Sequence, residues 1–264
     1  MFNLLPNYSL FFWIASTGVI TATYPIVART FPFRATVSRD YKAVNVIKGS
    51  TLAIMAPAGA TLALISLADM QEDWVRTIWA AWLPVMSAVY AALDLSAMIY
   101  YRDCAKTTLI HHTLVQLFYL YLEWVHYEYS LPARAIVLYA GVSSCEFIVN
   151  VRLALRGSIL GPAAMQLNRK TLRVYLVGTY VNFVGQGYLV WMAGSEKGWE
   201  AFPVEYWIVA LAMCGVFVDD VYLIQYLWKW KPRAQRRSLR TKKAATEHAV
   251  PSLAALASRS TKAE

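Results

Sequence analysis

The sequence predicts an all-α, polytopic membrane protein with seven transmembrane helices. The 264-residue chain is 58% hydrophobic and only 16% charged, with a mean hydropathy of +0.40, which is more apolar than an ordinary soluble domain. A membrane-spanning helix needs about 20 largely apolar residues. Seven stretches meet this requirement. They are longer than the strands of a membrane β-barrel, and they lack the period-2 alternation of such strands. The stretches are 8–28, 46–68, 77–101, 104–127, 132–155, 171–194 and 204–228.

The first stretch is interpreted as a transmembrane helix, not as a signal peptide. Residues 1–7 carry no basic side chain, and the first basic residues follow the stretch at Arg29, Arg34 and Arg39. A signal peptide has the opposite order, with its positive charges in front of the apolar segment.

The distribution of Lys and Arg predicts that the N-terminus lies outside and the C-terminus on the cytosolic or inner side. Segments 29–48, 102–106, 152–173 and 229–262 hold 22 of the 25 basic residues, and the alternate loops hold only three. Basic residues in short loops are retained on the cytosolic side. An odd number of spans with the N-terminus outside satisfies this distribution.

Residues 231–264 are predicted to form a basic, flexible tail behind a membrane domain that covers residues 1–230. The formal net charge of +9 is assigned to topology, since no basic cluster belongs to a folded soluble domain, and no nucleic-acid partner is expected. The tail is a stop-transfer signal in the simplest interpretation, with anionic lipid or a protein partner as alternatives.

Polar and ionisable residues inside the predicted spans are the main functional signal, because each is costly in hydrocarbon unless it faces protein or water. The fourth span carries His111 and His112, and a polar stripe at helical spacing continues from His112 through Gln116 and Glu123. Other spans add further polar groups, and we expect several helices to enclose a shared polar cavity. These further groups are Asp94, Glu146, Asn150, Asn182, Asp219 and Asp220.

Two cofactor classes are disfavoured by the sequence. Metal ligands must converge at about 2.0–2.2 Å, and adjacent histidines do not easily reach one ion, so no metal site is expected. A retinal protein needs a Schiff-base lysine in the last helix, and 204–228 contains none. Paired structural groups that fix helix register remain an alternative for any single polar residue, and a terpene cyclase using Asp219, Asp220 and Glu146 is a minor one.

The run from Tyr100 to Val115, which reads YYRDCAKTTLIHHTLV, resembles the core signature of the TLC domain. That domain is shared by ceramide synthases, translocating-chain-associated membrane proteins and their relatives. The spacing from Arg102 to His111 matches as well. The resemblance covers roughly residues 40–230 and includes Asp94 together with a Glu, Asn and Arg pattern. This pattern is formed by Glu146, Asn150 and Arg152.

The resemblance implies a helical bundle around a lipid-accessible interior. In ceramide synthases the His pair serves N-acylation of a sphingoid base by acyl-CoA, which would make His111 and His112 the catalytic residues here. Asp94 or Glu146 would then orient one ring. One feature departs from the synthases: the acidic cluster that they carry about 25 residues after the pair is replaced by apolar residues at 138–142. The chain therefore looks closer to TLC relatives without synthase chemistry.

Three hypotheses stay open on the sequence alone. The first is a TLC-like protein that handles, binds or regulates membrane lipid, and the second is an acyl-CoA-dependent acyltransferase, with acyl-CoA as substrate and no other cofactor. The third is an accessory subunit of a larger membrane complex. The endoplasmic reticulum is the expected location on the resemblance, with the mitochondrial inner membrane as the alternative that satisfies the same charge rule.

Overall fold

The computed structural model describes residues 6–30, 38–67, 73–101, 105–125, 130–159, 161–197, 202 and 204–229. Nearly all of these residues are helical, and the described part of the chain forms eight helices. They are α1 (Pro6–Thr30), α2 (Arg39–Ser66), α3 (Asp73–Tyr100), α4 (Lys106–Trp124), α5 (Leu131–Cys145), α6 (Ile148–Ala154), α7 (Gly161–Lys197) and α8 (Val204–Lys229). The predicted all-α class is confirmed. The basic tail lies outside the described residues.

Four of the described helices are long and apolar enough to cross a membrane on their own, namely α1, α2, α3 and α8. The bent pair of α5 and α6 adds a fifth candidate. Large apolar side chains such as Phe11, Ile14 and Leu211 are exposed on α1 and α8, as expected for surfaces that face lipid. The chain is therefore a helical membrane protein.

The predicted span at 132–155 is not a single helix. It breaks between Cys145 and Ile148, and α5 and α6 meet at a bend of 49°. Near the break the Ser144 hydroxyl donates to the Gly141 carbonyl at 2.7 Å, and the Glu146 amide bonds back to the Ser143 carbonyl at 3.1 Å. Such local bonds compete with the regular helical ladder and bend it. The break places Glu146 at the turn between the two helices.

The helix α7 is longer than its predicted span of 171–194. It begins at Gly161, whose φ of +67° lies in the left-handed region that glycine adopts readily. The helix is 37 residues long. At 1.5 Å per residue it is about 55 Å long, more than a bilayer core requires. The segment 161–170, which the sequence places in a loop, is therefore the first part of this helix.

Helices α2 and α5 approach each other through small residues. A Cβ atom added to Gly141 would lie 2.5 Å from the Gly59 carbonyl oxygen and 2.9 Å from Ala63 Cβ. Small side chains let the backbones of membrane helices approach each other closely. Helix α1 packs on α3, and the ring centroids of Tyr24 on α1 and Tyr100 on α3 are 4.9 Å apart. These contacts hold α1, α2, α3 and α5 in one bundle.

Candidate functional site

A cavity of about 430 Å³ lies among the helices. Residues from α2 through α8 line it, and the exposed residues Ala105, Arg156 and Tyr222 are among them. The cavity therefore opens at the end of the bundle where α3 joins α4 and where α6 ends. A concave site of this size is typical of small-molecule pockets.

His112 belongs to a cluster of three ionisable side chains at the wall of the cavity. Its Nδ1 lies 3.2 Å from Asp94 Oδ2 on α3, and Lys48 Nζ on α2 donates a hydrogen bond to the other carboxylate oxygen, Oδ1. Asp94 has no exposed surface. A buried carboxylate needs such partners, because an isolated charge is very costly in a low-dielectric interior.

His111 faces the first residue of the acidic pair on α8. Its Nδ1 lies 3.6 Å from Asp219 Oδ2, and the Thr108 hydroxyl, one turn earlier on α4, donates to Asp219 Oδ1 at 3.4 Å. The rings of His111 and His112 meet edge to face, with centroids 5.6 Å apart. Each histidine of the pair therefore has its own carboxylate, and the two carboxylates come from different helices.

Asp220 is held by two tyrosine hydroxyls. Tyr175 on α7 donates to Asp220 Oδ1 at 2.6 Å, and Tyr139 on α5 donates at 3.3 Å. Glu146 lies close by, at the break between α5 and α6. It occupies the space that a side chain at position 178 would need, since a Cβ on Gly178 would lie 1.9 Å from Glu146 Oε1. Gly178 thus makes room for a buried carboxyl group.

Several predicted site residues converge on this cavity in the described part of the chain. The cavity itself is lined by His111, His112, Glu146, Asn150, Asp219 and Asp220, and Asp94 borders it through His112. Four carboxyl groups lie in or beside the cavity, and its described lining contains the basic side chains Lys48 and Arg156. An acidic lining of this kind can attract a cation or the cationic or hydrogen-bond-donating part of a ligand.

Other predicted residues of the polar stripe point elsewhere. Gln116 donates to the Ala91 carbonyl on α3 at 3.0 Å. Glu123 accepts a 2.7 Å hydrogen bond from Ser9 on α1. The stripe thus joins α4 to α3 and α1, and only its first member, His112, reaches the cavity. These two contacts match the alternative that some polar residues fix helix packing.

Three more predicted residues are not among the described lining residues. Arg152 is buried, and its Nε donates to Asn168 Oδ1 at 3.2 Å. Asn182 is buried on α7. Arg102 lies outside the described residues.

Lys48, Tyr139 and Tyr175 belong to the site but are not among the residues that the sequence predicts. Lys48 is the third residue of the predicted span 46–68, and a lysine inside a span is itself a signal for a buried partner. The two tyrosines carry no such signal, because tyrosine is also common at membrane interfaces. Only the packing of α5 and α7 against α8 shows that they hold Asp220.

Asp94, His111 and His112 also satisfy the spatial requirement for a metal cluster. One ligand atom from each lies within 4.8 Å of the others. The expectation of no metal site rests on the 100° separation of adjacent helical positions. In the structure the two rings are perpendicular, and a carboxylate from α3 approaches the pair.

Comparisons with protein-family models, with curated proteins and with solved structures find no match for this chain. The resemblance to the TLC domain therefore rests on the sequence motifs alone.

Proposed function

We propose that this chain is a TLC-like membrane protein that binds a membrane lipid, with the polar group of the lipid at the two histidine–carboxylate pairs. The observation that carries this proposal is the cavity itself, which combines buried ionisable groups with an apolar, lipid-facing bundle. Ionisable groups inside a membrane protein mark ligand or ion pathways more often than structural sites.

A second, apolar pocket supports an amphipathic ligand. It has a volume of about 50 Å³, and Tyr90 and Tyr139 border both it and the polar cavity. Its other walls are apolar side chains such as Leu62, Phe118 and Ile136. A lipid with its polar group near His111 would direct the first part of an acyl chain past the two tyrosines into this region.

Lipid binding is tested by native mass spectrometry of the full chain in mild detergent. Ser143 lines the cavity, so Ser143→Trp fills part of it, whereas Ser195→Trp adds the same side chain at an exposed position near the end of α7. We expect co-purified lipid on the wild type and on Ser195→Trp, and its loss from Ser143→Trp. Lipid-free wild-type protein, or equal lipid on both variants, would overturn the proposal.

Acyl transfer from acyl-CoA is the second candidate, and the histidine–carboxylate pairs favour it. The acids missing at 138–142 are supplied from another helix, because Asp219 on α8 faces His111 at 3.6 Å. In this reaction an imidazole removes a proton from the attacking amine, the new C–N bond forms at the thioester carbonyl, and the C–S bond breaks to release CoA. Asp219 would orient the ring.

The acyltransferase candidate is tested in microsomes with a long-chain amine and acyl-CoA of several chain lengths. His111→Ala should abolish product formation, while Glu123→Gln, an acid on the same helix but outside the cavity, should retain it. A wild-type protein that is inert with every chain length would exclude this candidate.

We further propose seven spans with the N-terminus outside, in the endoplasmic reticulum. The helices α4 and α7 supply the two spans beyond the four apolar helices and the bent pair. Polar residues within these spans, such as Gln116 on α4 and Tyr175 on α7, bond to partners in the bundle. Single cysteines introduced in successive loops of a cysteine-free variant should alternate in labelling by an impermeant maleimide. Labelling of both termini from the same side would refute the odd count, and microscopy with organelle markers tests the location.

A further inference from the structure

The geometry points to a divalent transition-metal site formed by Asp94, His111 and His112 at the base of the cavity. We propose that these three side chains bind one ion such as Zn²⁺ or Fe²⁺. Two imidazoles and one carboxylate are a ligand set that both ions accept, and it leaves open coordination positions. The proposal does not depend on which lipid the cavity binds.

The separation of the ligand atoms supports a shared ion. Two ligands at about 2.0–2.1 Å from a tetrahedral zinc ion are about 3.3 Å apart. His112 Nδ1 and Asp94 Oδ2 are 3.2 Å apart. The widest separation in the cluster is at most 4.8 Å, so a closure of about 1.5 Å or less completes tetrahedral spacing.

The hydrogen-bonding state of these atoms is the second line of support. Asp94 Oδ2, His111 Nδ1 and His112 Nδ1 are all buried, and within the described residues none has a hydrogen-bond partner of acceptable geometry. Buried polar atoms are almost always satisfied. A single cation on the three side chains would satisfy Asp94 Oδ2 and His112 Nδ1, and His111 Nδ1 would remain opposite Asp219.

The surroundings of the cluster match those of protein metal sites. Lys48 holds Asp94 Oδ1, which leaves Oδ2 directed at His112. Asp219 lies 3.6 Å from His111 Nδ1, so an ion on the other ring nitrogen, Nε2, would leave Nδ1 to Asp219, in the manner of the carboxylates that orient metal-binding imidazoles. The positive charge of Lys48 opposes a metal ion, but the carboxylates of Asp94 and Asp219 offset it.

Metal binding and imidazole base catalysis exclude each other at the same nitrogen. A His112 nitrogen that binds an ion has no lone pair left to accept a proton. The metal measurement requires neither acyl-CoA nor lipid, so its outcome is independent of the lipid-binding and acyltransferase tests.

The test is elemental analysis of the full chain, purified in mild detergent through a tag that contains no histidine. We expect about one divalent transition-metal ion per chain in the wild type and in the control Glu123→Gln, and a small fraction of that in His111→Ala and His112→Ala. Asp219→Asn should weaken Zn²⁺ binding by about 10–100-fold, as loss of an orienting partner does.

A titration of the wild type keeps the test decisive where a histidine variant folds poorly. Chelator-treated wild-type protein should gain thermal stability on addition of Zn²⁺, and EDTA should reverse the gain. Wild-type protein without stoichiometric metal and without this gain would overturn the proposal. Equal metal content in the wild type and in both histidine variants would overturn it as well, since the ion would then lie elsewhere.

Discussion

Replacement of Gly141 by alanine should separate α2 from α5 and destabilise the membrane domain. The new Cβ would lie 2.5 Å from the Gly59 carbonyl oxygen and 2.9 Å from Ala63 Cβ. Both distances are about 0.7–1 Å shorter than ordinary van der Waals contact. The obstructing oxygen belongs to the backbone, so no side-chain rotation relieves the clash. Overpacking of this kind costs about 1–3 kcal/mol, and we expect a value near the upper end.

The control for Gly141→Ala is Gly187→Ala, because a Cβ on Gly187 meets no atom within 4 Å. Thermal unfolding in detergent, followed by tryptophan fluorescence, measures both variants. At about 2–4 °C per kcal/mol for a chain of this size, Gly141→Ala should lower the midpoint by roughly 6–12 °C, and the control should leave it unchanged or slightly higher. Equal midpoints for the two variants would refute the close α2–α5 contact.

Two further substitutions test the walls of the cavity. Gly178→Ala places a Cβ 1.9 Å from Glu146 Oε1 and should push this flexible carboxyl group further into the cavity. Lipid retention in native mass spectrometry should then fall, while the unfolding midpoint changes little. Tyr175→Phe removes the 2.6 Å hydrogen bond to Asp220 and should cost about 1–3 kcal/mol, whereas Tyr180→Phe at an exposed position should leave the midpoint unchanged.

The elements that the sequence predicts best are those with long, uniform apolar character. Stretches such as 8–28 and 204–228 coincide with α1 and α8, because twenty apolar residues have few alternatives to a membrane-spanning helix. The break after Cys145 could not be seen in this way. Its cause is a set of short-range bonds from small polar side chains, which composition averages over a window do not resolve.

The polar stripe on α4 shows why a shared helical face does not define a site. Helical spacing correctly groups His112, Gln116 and Glu123, but it says nothing about which helix faces each turn. Gln116 meets the backbone of α3 and Glu123 meets Ser9 of α1. Tertiary packing, not periodicity, determines which residue of the stripe reaches the cavity.

The pairing of charges depends even more on tertiary structure. Asp219 and Asp220 are adjacent in sequence, yet they serve different partners: Asp219 faces His111, and Asp220 accepts hydrogen bonds from Tyr139 and Tyr175. Adjacent positions on a helix point about 100° apart. An adjacent pair therefore supplies two walls of one cavity, and a sequence alone cannot say which wall each residue faces.

The same geometry explains why the histidine pair is the centre of the site in every proposed function. Adjacent histidines on α4 reach α3 and α8 at once, so His112 contacts Asp94 while His111 contacts Asp219. A single histidine could contact only one of these helices in this way. The pair therefore couples helix packing to the chemistry of the cavity. A ligand or ion that binds both rings would therefore link α4 to α3 and α8 through these two contacts.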